Sequence, residues 1–346
     1  MVLNIYTMTS KRKDTHTLSD ILEIHLGANY DIHRDASNEL EVRFGTRGRQ
    51  KITRIDFDNV IKKLKSLGWT CINDSGDYSL KIQNEFVDPK TGETKLSNIR
   101  TQIETLNAIQ QYCKTNDITQ VSQHLVNYEM KMYAKTKEEQ VIYPVNKDAW
   151  NLRISYQTET KLSSASSMIQ GLHDTWQDSK KTFRYINRVT YKKNGEPYKI
   201  DLSVVKSNNS DKRRRMIPTY RVDESGVFDN TEGYEIEIEM LPRYELGAYN
   251  DVNLLESALK TGIKTVLAGL QESNYPISYK EQSNILKEYI ELTYDDKKNK
   301  KKKKDLLEHR INLYRLQSRR NFIGPSSISL ESKHLIKKED TINIHN

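Results

Sequence analysis

The chain has 346 residues, enough for one large domain or two smaller ones with a real core, and 55 Lys and Arg outnumber 47 Asp and Glu for a formal charge of +8. That balance points to an anionic partner such as nucleic acid, with a solvated basic surface as the plain alternative. Cys71 and Cys113 stand far apart without companions, which excludes a disulfide framework and a thiolate metal site and fits a reducing compartment. The opening MVLNIYTMTSKRKDTHT lacks the apolar run of a signal peptide, and no later segment approaches a membrane span, so the expectation is a soluble, cytoplasmic chain with no membrane partner.

In chain order, THTLSDILEIHLG (15–27) carries apolar residues at three and four and reads as a helix, followed by the alternating strand NELEVRF (38–44). A second helix is expected over RIDFDNVIKKLKSLG (54–68), with Thr53 and Asp56 at capping-box spacing. The strand YSLKIQNEFV (78–87) comes next, then LSNIR (96–100) as a strand and RTQIETLNAIQQYCK (100–114) with helical spacing. Strands follow at VNYEMKMYA (126–134), WNLRISYQ (150–157), TFRYINRVTYKK (182–193), EPYKIDLSVVK (196–206) and YEIEIEM (234–240), before the helix DVNLLESALKTGIKTVLAGLQ (251–271). Beyond about residue 272 the composition suggests a long helix interrupted by the solvated lysine run DDKKNKKKKKD, so the compact domain is expected to end near there. No solenoid repeat is visible, so the strands must close on each other or on the helices.

Successive strand residues face opposite sides. Glu39, Glu41 and Arg43 therefore oppose Leu40, Val42 and Phe44, and Glu129 and Lys131 oppose Tyr128, Met130 and Met132. Asn98 and Arg100 oppose Ile99, and Arg153, Ser155, Gln157 and Glu159 oppose Leu152, Ile154 and Tyr156. In the last strand Glu235, Glu237 and Glu239 share one face, with Ile236, Ile238 and Met240 on the other. Asn194-Gly195 signals a two-residue type I′ turn; with Lys193 facing Glu196, Arg188 would lie opposite Asp201, Ile186 opposite Ser203 and Arg184 opposite Val205.

An ordinary solvent face explains any one of these strands. Together they separate acids on the first and last strands from arginines on the middle ones, and like charges opposed across strands repel. A closed barrel lined by both sets relieves both repulsions if the acids hold metal and the arginines an anion. Clustered carboxylates suit Mg²⁺ or Mn²⁺, which are completed by phosphate oxygens. Acids on one wall and bases on another describe a site for metal-assisted phosphoanhydride cleavage.

The segments ELEVRFG, FRYINRVTY, YKIDLSVVK and YEIEIEM, in this order, resemble the motif set of the triphosphate tunnel metalloenzymes. Within them they look most like the RNA 5′-triphosphatases of fungi and large eukaryotic DNA viruses, over roughly residues 35 to 245. The resemblance implies an α+β fold built on a closed antiparallel eight-stranded β-barrel, the triphosphate tunnel, with flanking helices. It implies a metal site of Glu39, Glu41, Glu239 and Glu237, the last acting, like Asp201, through metal-bound water. Glu235 would bind a basic neighbour or orient water. Arg100, Lys131, Arg153, Arg184 and Arg188 would contact phosphate, and Ser203 stands where the family often has Thr. One position departs from the fungal pattern: Ile186 replaces a lysine, so that Arg184 or Lys131 takes over its contact or the hairpin register slips. Glu159 is a candidate for activating water, with a solvent-exposed strand end as the alternative.

A second resemblance, NFIGPSSISLESKHL (321–335), is to the lead-in of viral nucleotidyltransferase domains, but no K-x-D-G nucleophile motif follows; the nearest match, KKNG (192–195), is the hairpin. The implied organisation is a triphosphatase domain at 1–272, a helical lysine-rich linker at 273–320 and the start of a guanylyltransferase domain at 321–346, with a free-standing triphosphatase carrying a tail as the competing view. The expected substrate is 5′-triphosphate RNA, with a guanylyltransferase and methyltransferase module in the same or another chain as partner. A residue usage rich in Lys, Asn, Ile and Tyr fits an AT-rich genome, and a viral source would place the protein in a viral factory or virion. A tunnel hydrolase for inorganic or nucleoside triphosphates, or a nonenzymatic RNA-binding capping subunit, are the alternatives.

Overall fold

Alternation at period two leaves each strand with one apolar and one polar face, and in the computed structural model this sets which side of a sheet faces the helices. Residues 16–27, 36–46, 51–213 and 215–293 are described. The chain divides into two compact units, Met1–Pro276 and Ile277–Asn346. In the first, the elements are α1 (Leu18–Gly27), β1 (Ala36–Phe44), α2 (Arg54–Ser66), β2 (Thr70–Cys71), β3 (Asp77–Val87), β4 (Thr94–Leu96), β5 (Ile99–Glu104), α3 (Leu106–Thr115) and β6 (Val126–Tyr133). They continue with β7 (Val145–Lys147), β8 (Leu152–Leu162), α4 (Ser167–Asp174), β9 (Lys181–Lys192), β10 (Tyr198–Ser207), β11 (Gly233–Met240) and α5 (Val252–Leu270). The second unit contains α6 (Tyr279–Thr293). The lysine run and the segment 321–346 lie outside the described residues.

The strands pair antiparallel in the order β9-β10-β11-β1-β8-β6-β5-β3, and β3 pairs again with β9, so the eight-stranded barrel expected from the sequence is closed. β2 extends β9, β4 forms a hairpin on β3, and β7 pairs with β8. Closure removes sheet edges from the ring. It also gives every strand an inside and an outside, and here the apolar side is outside.

Two apolar cores flank the barrel. Leu40, Val42, Ile154, Ile200, Ile236 and Ile238 pack with residues of α1, α2 and α5. On the other side Leu80, Ile82, Ile103 and Phe183 meet Ile109 and Tyr112 of α3, Ile169 of α4 and Trp176. Each fully buried Leu, Ile or Phe contributes roughly 1.5–3 kcal/mol, so the helices hold the strands from outside and leave the interior free for polar groups. The α2 start is fixed by the expected capping box: Asp56 N–H donates to Thr53 Oγ1 and Thr53 N–H to Asp56 Oδ2. Gly269 of α5 allows α2 to come close, since a Cβ there would lie 2.8 Å from Val60 Cα.

Three sequence expectations change. Residues 100–104 are strand and not helix; the helix begins only after Thr105, whose hydroxyl accepts from Ala108 N–H at 3.5 Å. Thr101 and Ile103 bury outward, which satisfies a period of two as well as the helical spacing did. The hairpin register also differs: Arg188 lies opposite Ser203, Ile186 opposite Val205 and Arg184 opposite Ser207. Asn194 is not in the left-handed region that a type I′ turn requires, whereas Gly195 is, at φ +82°, and the loop takes in Glu196 and Pro197. The slip is by two residues, so every side chain keeps its face. Finally, β2, β4 and β7 went unread, because two- or three-residue strands carry no period, and so did the eight-residue helix α4.

Candidate active site

The barrel interior is a cavity of about 820 Å³ lined by charge. Its carboxylates are concentrated where β11 meets β1: the pairing sets Glu41 opposite Glu239 and Arg43 opposite Glu237, and Glu39 and Glu235 extend the rows. Glu41 and Glu237 are buried. Across the cavity, with two strands between on either side of the ring, stand β5 and β3 with Arg100 and Lys81.

Each carboxylate on the acid wall is met by a base. Lys131 on β6 donates to Glu39 Oε2 at 2.6 Å and Glu41 Oε1 at 2.8 Å. Arg43 Nη2 lies 3.1 Å from Glu41 Oε2, and its Nε lies 2.8 Å from Glu237 Oε1. Both contacts are off the hydrogen-bonding direction, so Glu41 Oε2 is a buried carboxylate oxygen with no hydrogen bond. Lys199 on β10 reaches Glu239 at 3.0 Å. Arg184 donates to Glu235 at 2.7 Å.

Arg188 is the most tightly held base. It donates from Nε to Ser203 Oγ at 3.0 Å, from Nη1 to Asp201 Oδ2 at 3.2 Å and from Nη2 to Glu237 Oε2 at 3.2 Å. Asp201 is only 1% exposed and also accepts from Thr190 Oγ1 at 2.7 Å. It is absent from the cavity lining, so its role is to orient Arg188 from beneath. Arg153 keeps the interior parity but hydrogen bonds Asn146 of β7 and does not line the cavity.

The lining therefore brings together Glu39, Glu41, Arg100, Lys131, Arg184, Arg188, Glu235, Glu237 and Glu239, with Glu159 beside them, and leaves out Arg153 and Asp201. Ile186 also lines it, and neither base expected to replace a lysine there is uncommitted: Arg184 is paired with Glu235 and Lys131 with Glu39 and Glu41. Arg43, Lys81 and Lys199 are lining bases that sequence reading did not assign. Their signal was the same parity that found the others.

Crowding leaves its mark on the acids. Burial pushes Glu239 up to about 7 against the pull of Lys199, with Glu39 and Asp201 adding like charge. Burial also raises Glu237, and burial with a hydrogen bond that the Glu39 carboxyl donates to Glu159 raises Glu39. Among the described residues the lining holds nine acids and seven bases, so there a polyphosphate would meet excess negative charge unless a cation or protons offset it. The oxygen-only donor set of Glu39, Glu41, Glu237 and Glu239, and the unbonded Glu41 oxygen, fit a hard divalent cation. Among the described residues no three acids converge as a ready-made cage, because Lys131, Arg43 and Lys199 stand between them.

No family model matches the chain, and no curated protein matches it. Among solved structures it is similar to the triphosphatase of the Mimivirus capping enzyme, at 16% identity and TM-score 0.43, covering 72% of this chain and 95% of that one. It is also similar to the S. pombe RNA triphosphatase Pct1, at 15% identity and TM-score 0.35, covering 78% of this chain and 90% of that one. The same protein in complex with the Spt5 CTD gives 14% identity and TM-score 0.35, covering 68% and 84%. Among the described residues no helix is long and apolar enough to cross a membrane.

Proposed function

We propose that this chain is a metal-dependent polynucleotide 5′-triphosphatase that removes the γ-phosphate of triphosphate-ended RNA as the first step of cap formation. The observation that carries the reading is the wall of five glutamates on β1 and β11 facing bases across a closed barrel. Glu39, Glu41, Glu237 and Glu239 would hold Mg²⁺ or Mn²⁺, which when bound offsets phosphate charge. Arg188 is pre-oriented by Ser203, Asp201 and Glu237, so its guanidinium meets phosphate oxygens without reorganising. Lys131, Arg184 and Lys199 line the same space and share the phosphate charge. The diphosphate end left behind is the acceptor for guanylyl transfer, so a guanylyltransferase and methyltransferase module is the fitting partner.

A second reading, hydrolysis of inorganic or nucleoside triphosphates, is favoured by the lining itself. Among the described residues it offers many charges to a triphosphate but a single aromatic ring, Tyr78, to a base. The test is release of labelled γ-phosphate from triphosphate RNA, ATP and tripolyphosphate, each with Mg²⁺, Mn²⁺ or chelator. Metal-dependent release fastest from RNA supports the first reading, faster release from ATP or tripolyphosphate the second. Turnover undiminished by excess chelator would sink both.

A further inference from the structure

A nucleic acid brings bases as well as phosphates, and in the cavity lining the one ring among the described residues, Tyr78, is stacked within the protein. Its partner is Tyr185, with centroids 6.1 Å and planes 29° apart, and Tyr185 in turn meets Phe228 at 5.3 Å. Asp77 and Glu104 line the cavity at the same end. β3 and β6 are both antiparallel to β5 and so run the same way. Tyr78, near the start of β3, and Tyr133, the last residue of β6, therefore lie at opposite ends of the barrel.

Beyond Tyr133 the chain folds back on itself: Ile142 N–H donates to Ala134 O at 2.9 Å, and Lys135 bridges to Val141. Ala134 and Ile142 bury in the outer core, so their neighbours Tyr133 and Tyr143 turn the other way, to the face that carries Lys131. The two rings meet at 5.9 Å with planes 54° apart and are 47% and 58% exposed. Arg153 stands at the same end of the barrel, because β8 is antiparallel to β6 and Arg153 is its second residue. It lies opposite the cavity base Arg43 on β1, and its Nε donates at 3.0 Å to Asn146, which follows Tyr143 by three residues. Among the described residues no carboxylate comes within ion-pair distance of Arg153, while Glu139 of the hairpin is held by Lys135 at 2.6 Å.

We propose that Tyr133, Tyr143 and Arg153 form a nucleoside-binding rim, on which the first bases of a single-stranded RNA stack where the chain leaves the cavity. The inference rests on the RNA triphosphatase reading and adds to it what tells RNA from tripolyphosphate. Exposed rings accept any base on their faces, and a guanidinium plane does the same while its charge meets the backbone phosphates. Arg43 and Arg153, opposite each other on β1 and β8, make the way from cavity to rim basic, whereas the Tyr78 end presents Asp77 and Glu104. Such a rim selects a polynucleotide without selecting its sequence.

The test compares triphosphate-ended single-stranded RNA with inorganic tripolyphosphate on the full chain, by KM for hydrolysis and, with chelator present, by fluorescence anisotropy of the labelled RNA. The double variant Tyr133→Ala, Tyr143→Ala should raise KM and Kd for RNA about tenfold or more whatever the first base, and leave KM for tripolyphosphate within about twofold of the parent. Tyr133→Phe with Tyr143→Phe, which keeps both rings, should bind RNA within about threefold of the parent. Tyr244→Ala, at an exposed tyrosine outside the rim, should bind it like the parent. RNA constants within about twofold of the parent in the double alanine variant overturn the rim; so does an equal loss with both substrates, or a loss of RNA binding that the phenylalanine variant shares, either of which marks a structural role. If the parent binds RNA through the two rings yet hydrolyses no triphosphate-ended RNA, the enzymatic reading fails and the rim stands. If it hydrolyses that RNA and the double alanine variant retains its RNA KM, the rim fails and the reading stands. No binding of RNA by the parent overturns both.

Discussion

Glu239→Gln exchanges a carboxylate oxygen for an amide at nearly constant volume, in a position where the fold opposes the charge. The carboxyl moves from an ordinary 4.5 to about 7 in the folded chain, and each pH unit of displacement is worth about 1.4 kcal/mol. Ionised Glu239 therefore costs the metal-free fold on the order of 3 kcal/mol. Below 4.5 the group is protonated folded or unfolded and the cost is absent. Between 4.5 and 7 the unfolded chain has lost the proton that the folded chain retains, so stability falls as pH rises, and the loss levels off above about 7. Glu39 and Glu237 shift in the same direction and remain in the variant. Melting curves in chelator from pH 5 to 9 should show Glu239→Gln above the parent at pH 8 by several degrees, with the gap closing toward pH 5. Mg²⁺ or Mn²⁺ should raise the parent more than the variant, since a ligand stabilises the state that binds it. Metal-dependent turnover should be lost. Ile238, adjacent and 0% exposed, supplies the contrast: Ile238→Ala should lower stability by about 2–5 kcal/mol at every pH while its folded fraction still turns over. Parallel parent and Glu239→Gln curves across pH, or full activity with an unchanged metal response, would refute the reasoning.

Arg188→Ala should lower turnover by about a hundredfold or more, measured with triphosphate RNA, because a contact strongest in the transition state is lost. It should also lower the melting temperature, since buried Asp201 loses its nearer cation, at 3.2 Å, and keeps only Lys199 at 3.6 Å; unchanged circular dichroism melts and activity would place the guanidinium outside the site. Gly269→Ala should destabilise by about 1–3 kcal/mol without touching KM, because the added Cβ meets Val60 backbone at 2.8 Å; a denaturant midpoint equal to the parent's would contradict that close approach.

What the sequence made legible was parity. Glu39, Glu41, Lys131, Arg184, Arg188 and the glutamates of β11 alternate with fully or largely apolar partners, and the barrel needs no more than that to point them inward. Lys81 and Lys199 obey the same rule, beside buried Leu80, Ile82 and Ile200, and reading those strands as closely would have found them. Register was not legible. A slip of two residues leaves every face unchanged, and what selects one slip over the other is pairing outside the hairpin, of β10 with β11 and of β9 with the distant β3. Arg153 shows the limit of parity: it has the inward position, but β7, too short to read, supplies Asn146 and draws the side chain away. Residues 100–104 fit both periods, and only the partner strands β3 and β6 settle them as β5.

The seams of the ring carry a kinetic consequence. β1 meets β11 with Glu41 against Glu239, and β3 meets β9 with Asp77 against Arg188, so the barrel closes through segments separated by most of the domain or a large part of it. Such distant pairings close late and slowly, because the loop entropy is lost before the contacts form. In this chain the distant ends also bring acid to acid. The barrier to closure therefore contains a repulsive electrostatic component that screening over about 8 Å at physiological ionic strength reduces only for charges still in solvent. Under the metal-dependent reading proposed above, a divalent cation held by these carboxylates would also bridge the two ends as they approach and so speed assembly.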